Sequence, residues 1–76
     1  MSPKLPHITA AELLRALKRD GWQSARQSGS HMTMKHPTKK GCVIVPIHAT
    51  VTLKPKTLAT ILKQAGLTLE NLHTLL

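Results

Sequence analysis

The chain has 76 residues, room for one small domain, and its 41% apolar fraction is carried by aliphatic residues with one Trp and no Phe or Tyr; a chain this short buries only about 60 to 65% of its unfolded surface, so the core is small and aliphatic. Eleven Lys and Arg against three acids give a net charge of +8, and the stretch from Gly21 to Leu69 holds seven basic residues and no carboxylate, a one-signed field that attracts polyanions and points to nucleic acid. A lone cysteine, Cys42, excludes an internal disulfide framework, and no segment approaches the roughly 18 apolar residues of a membrane span or the apolar stretch of a signal peptide, so the chain reads as cytoplasmic with no membrane partner.

Residues 1–8 are expected to form a flexible tail, and residues 9–76 one domain. Thr9-Ala10-Ala11-Glu12 is a capping box that starts a first helix. Ala10, Leu13, Leu14 and Leu17 follow as one apolar stripe, and Asp20-Gly21 stops it. From Trp22 to His36 the helical period vanishes, and Ser28-Gly29-Ser30 divides two segments that pair as a hairpin. The second segment alternates. Met32, Met34 and His36 share one face and His31, Thr33 and Lys35 the other, so burying the methionines turns His31 outward. After the turn Pro37-Thr38-Lys39-Lys40-Gly41, the run Cys42-Val43-Ile44-Val45 reads as a third strand ended by Pro46. Its apolar neighbours suggest a packed Cys42 thiol. Pro55 suits the first turn of a helix whose stripe is Leu58, Ile61, Leu62 and Ala65, closed by Gly66. Thr68 caps a short extra helix within 68–76, docked either on the core or on a partner. The order is α-β-β-β-α, an α+β domain in which helices on one face of a three-stranded antiparallel sheet bury both stripes.

Metal chemistry has few ligands to draw on. Magnesium favours carboxylates, and none lies between Asp20 and Glu70. His31 and His36 point to opposite sheet faces, and one cysteine does not complete a structural zinc site. No metal and no cofactor are expected. His7 and His73 read as surface residues and His36 as filling a strand end, while His48 is either a loop residue or a second group near His31.

Four segments resemble the HicA toxin family. Glu12-Leu13-Leu14-Arg15-Ala16-Leu17-Lys18-Arg19-Asp20-Gly21-Trp22 is similar to the family's opening helix and its exit. Gly29-Ser30-His31 with Met34-Lys35-His36-Pro37 is similar to its central signature. Val43-Ile44-Val45-Pro46-Ile47-His48 resembles the third strand, and Thr57-Leu58-Ala59-Thr60-Ile61-Leu62-Lys63-Gln64-Ala65-Gly66 the closing helix. The resemblance spans roughly residues 9 to 67 and implies a fold like a double-stranded RNA-binding domain, an mRNA-cleaving toxin with His31 as catalyst, and a HicB-type protein antitoxin as partner. The chemistry suits the residues. An imidazole with an unperturbed pKa near 6.5 serves as general base or acid, and Lys35 on the same face can stabilise charge on a phosphate. Gly29-Ser30 leaves room for a sugar-phosphate backbone, with Ser30 as an auxiliary hydroxyl. Arg26, Gly29, Lys39, Lys40, Lys54 and Lys56 are expected to contact RNA. The competing reading is a module that grips duplex RNA without cutting it.

Overall fold

The computed structural model describes residues 5–47 and 52–76. Its elements run α1 (Ala10–Arg19), β1 (Gln23–Ser28), β2 (His31–Lys35), β3 (Cys42–Pro46), α2 (Pro55–Ala65) and α3 (Leu69–Leu75). The strands form one antiparallel sheet in the order β1-β2-β3. The expected α+β layout is present, with α3 added at its end.

Helix α1 starts where the capping box places it. The backbone amide of Thr9 donates to the Glu12 carboxylate at 3.0 Å, and the Glu12 amide donates to the Thr9 hydroxyl at 3.3 Å. These bonds hold the Glu12 carboxyl below its ordinary pKa, with the Thr9 backbone bond as the first cause, so the box is intact at neutral pH and loosens only in acid. The buried stripe is Ala10, Leu13, Ala16 and Leu17; Leu14, expected within it, is only partly buried. Helix α2 has Pro55 in its first turn, buries the four residues expected, and ends on Gly66 in the left-handed conformation. Helix α3 is capped by a Thr68–Asn71 box and docks on the core: Leu72 is fully buried and Arg19 donates to the Leu75 carbonyl at 2.6 Å.

Helices α1 and α2 pack against β3, over the sheet face that carries Met34, Val43 and Val45, all fully buried. The core gathers these with Trp22, Leu58, Ile61 and Leu72. It also reaches further back than the expected boundary at residue 9, because Ile8 is buried and its carbonyl accepts from Leu53.

The exit of α1 is tied down by Asp20. Its carboxylate accepts from Trp22 Nε1 at 3.2 Å and from Lys39 Nζ at 2.7 Å, and Lys39 also donates to the Ala65 carbonyl at 3.0 Å. The ends of α1 and α2 and the β2–β3 connection therefore meet on one lysine. His36 closes the same knot. Its Nδ1 accepts from the backbone amides of Thr38 and Lys39, which leaves Nε2 to donate to the Asp20 carbonyl at 2.8 Å, and its ring stands edge-on to Trp22.

The expectation for the cysteine is corrected. Cys42 is exposed rather than packed, because the strand period places it with Ile44 outside, opposite Val43 and Val45. We expect the native thiol to react with a thiol reagent without denaturant, at a rate close to that of the unfolded chain; a thiol silent until urea unfolds the protein would contradict this.

Gly21 is required twice over. Its φ is +106°, and a Cβ there would lie 2.6 Å from His36 Nε2, an atom held by its bond to Asp20. Gly21→Ala should lower stability by about 1–3 kcal/mol in urea titrations. Gly41→Ala, at φ +80° in open space, should cost less. Equal losses for the two variants would be evidence against a role for the contact with His36.

Candidate nucleic-acid interface

The face of the sheet away from the helices is built by the strand alternation of β2. With Met34 buried beneath the helices, His31 and Lys35 lie exposed on the other side, with Thr33 between them half-buried. The ladders carry this across three rows. Ser28, His31 and Pro46 are aligned in the first, Arg26, Thr33 and Ile44 in the second, and Gln23, Lys35 and Cys42 in the third. No acid occurs anywhere on these strands.

The second row follows from the hairpin register: counting back from Ser28 opposite His31 sets Arg26 opposite Thr33, diagonal to His31, at the separation of about 7–8 Å typical of such neighbours. The β1–β2 register shifts between Ser24 and Arg26, so Ala25 is an extra residue in β1. Without that shift Ser24 rather than Gln23 would stand opposite Lys35. Lys35 stands further off, four residues along β2, or about 13 Å at 3.3 Å per residue. Arg26 is thus the nearer cation to the imidazole.

The turn beside His31 is tight and open. Ser28 pairs with His31, leaving Gly29 and Ser30 as a two-residue connection with Gly29 at φ +58°, the glycine-first pattern of such hairpins. A Cβ built on Gly29 would meet nothing within 4 Å. Ser30 is exposed, and its carbonyl accepts from the Ile47 amide.

The remaining candidates are dispersed. Lys40 is exposed in the β2–β3 connection, and Lys39 is engaged there by Asp20 and Ala65, both beyond the Lys35 end of β2 and far from His31. Lys54 is the N-cap of α2, and Lys56 lies exposed in its first turn, lining a depression with Ile44. His48 lies outside the described residues. His36 has both ring nitrogens bonded within the fold. Two features escaped the sequence reading: the Ala25 bulge, which has no local signature, and the outward Ile44, which its alternation with Val43 and Val45 does signal.

Among the described residues, no three His, Cys, Asp or Glu side chains come together as a metal set, and no helix is long and apolar enough to cross a membrane.

A search of curated proteins returned no match. The family model described as the HicA toxin of bacterial toxin-antitoxin systems matches residues 10–67, from the start of α1 through the end of α2, and leaves α3 outside. That match covers every element of the face just described, and the chain belongs to the HicA toxin family.

Proposed function

We propose that this toxin is an endoribonuclease that cuts mRNA through His31 without a metal ion. The observation that carries the reading is the placement of an exposed imidazole on the bare face of an acid-free sheet, beside an open Gly29-Ser30 turn and diagonal to Arg26. A phosphodiester strand lying on that face meets a group able to move protons and a cation able to hold its charge.

The reaction needs little else. His31 takes the proton of a ribose 2′-hydroxyl, and that oxygen forms a bond to the adjacent phosphorus in line with the departing 5′-oxygen. The P–O5′ bond breaks, the 5′-oxygen takes a proton from water, and the hydroxide so formed takes back the proton held by His31. The products are a 2′,3′-cyclic phosphate and a 5′-hydroxyl. Arg26 stabilises the negative charge that builds on the phosphorane oxygens, and its rigid fork suits a phosphate. Lys35 holds a neighbouring phosphate, and Ser30 offers a hydroxyl to the same backbone. Lys40, Lys54 and Lys56 extend the attractive field. The toxin's antitoxin is proposed to be of the HicB type, more acidic than the toxin, and to cover His31 in the cytoplasm where mRNA is met; charge complementarity makes such association fast and salt-sensitive.

His31→Ala tests the reading. The side chain is exposed on the face opposite the core, so its truncation should leave melting within about 0.5 kcal/mol of the parent. Loss of a general base should lower RNA cleavage in EDTA by about 10² to 10⁴. A variant that melts like the parent and cuts at a comparable rate would remove His31 from the mechanism. Parent protein that shifts RNA in a gel but leaves it intact would make the chain a binding module instead.

A further inference from the structure

Ile44 and Leu76 are the exposed large apolar residues among those described, and Ile44 is 47% exposed. It stands directly opposite Thr33, and two residues along β3 from Pro46, the partner of His31. That makes it a diagonal neighbour of His31, a relation that typically separates residues by about 7–8 Å. Beside it a depression of about 270 Å³ opens between β3 and α2, lined by Ile44, Ile61, Lys56, Thr57, Thr60 and Gln64.

The chemistry of this depression is graded. Ile44 gives it an apolar wall, and the almost fully buried Ile61 lies at its floor. Gln64 is exposed, makes no side-chain hydrogen bond among the described residues, and offers both donors and an acceptor. Thr60 is occupied, because its hydroxyl donates to the Lys56 carbonyl at 2.9 Å. Lys56 places a cation at the rim, in a chain segment with no carboxylate. An apolar surface with a few polar groups at its edge is the usual make-up of a small-molecule site.

We propose that this depression is a nucleobase subsite next to the scissile phosphate, with Ile44 packing against the face of an unpaired base, Gln64 reading its edge and Lys56 holding the following phosphate. The inference rests on the RNA-cleaving reading of His31 and adds to it a substrate class and two specificity-determining residues. The substrate is single-stranded RNA. A duplex would present its sugar-phosphate backbone to the sheet and keep its base faces stacked inside. The sheet is polar along β1, with Gln23, Arg26 and Ser28, and less polar along β3, with Cys42, Ile44 and Pro46. A strand therefore lies with its backbone over β1 and β2 and its bases turned toward β3. Stacking on an indole has no part in this, since the chain's single Trp is buried, and selectivity falls to the amide of Gln64 and the shape of the apolar wall.

The test uses the full chain carrying His31→Ala, so that RNA stays intact, titrated with labelled RNA hexamers of A, of C and of U. The affinities of the three should differ. Adding Ile44→Ser should weaken binding of the best hexamer on the order of tenfold, and adding Gln64→Ala should bring the three affinities together. Both side chains are exposed, so melting should follow the His31→Ala protein. Equal affinity for the three hexamers, or double variants that bind all of them as the His31→Ala protein does, would overturn the proposal. So would an Ile44→Ser effect confined to binding of the antitoxin, which would assign the depression to a protein partner. Failure of the parent to cut RNA is a separate result: it would end the cleavage reading, while the hexamer titrations still read the subsite.

Discussion

The side-chain period of β2 governs both halves of this molecule, because a strand with one buried face can be shifted by a single residue only by exchanging everything it buries for everything it exposes. Met34 is fully buried and Met32 packs against the core. A slip of one position would expose both and carry His31, Thr33 and Lys35 under the helices, where an unpaired ammonium is costly. The register is pinned at each end of the strand. At its start, the two-residue turn fixes Ser28 opposite His31. Past its end, His36 is bonded to the Asp20 carbonyl and packed on Trp22. The orientation of the candidate catalyst is thus set by contacts on the other side of the sheet, in residues that take no part in its chemistry.

From that constraint follows an unequal division of the surface. The helices cover the Met34–Val43–Val45 face, and α3 docks beside α1 through Leu72 and the Arg19–Leu75 bond. Every residue of β1 remains exposed, and the outer rows of β2 and β3 carry His31, Lys35, the Thr33 hydroxyl and one large apolar side chain, Ile44. On the proposed reading, this bare face is what a long substrate needs, and it is also the surface an antitoxin has to cover. The hairpin register has a specific consequence here, since it gives the face its arginine beside His31. Lys39, by contrast, is bound to Asp20 and to the end of α2, so it serves the fold whether or not RNA is near.

Much of this was legible in the residues, and what was legible is local. The Thr9–Glu12 box, Pro55 in the first turn of α2, Gly66 at its end and the alternation of β2 are all determined within a few positions of chain, and each forms as expected. Leu14 and Ala16 exchange roles because the width of the buried stripe on α1 is decided by what packs against it. The apolar neighbours of Cys42 suggest a packed thiol, but the strand period of two sets it beside the exposed Ile44. The Asp20–Lys39–Ala65 knot joins residues far apart in sequence, and the bulge depends on how two strands pair. Neither leaves a mark in a single segment. The docking of α3, open from sequence, is settled by Leu72 lying in the same core as Leu13 and Leu17.

In the proposed mechanism the ribose 2′-oxygen is the nucleophile and His31 the group that deprotonates it. The most direct measurement incubates the protein, in EDTA, with an RNA whose cut sites have been mapped and with the same RNA bearing 2′-O-methyl groups at those sites. The unmodified RNA should be cut to fragments ending in 2′,3′-cyclic phosphate, and the methylated RNA should stay whole at the mapped sites. Cleavage of the methylated RNA at those positions would contradict this mechanism.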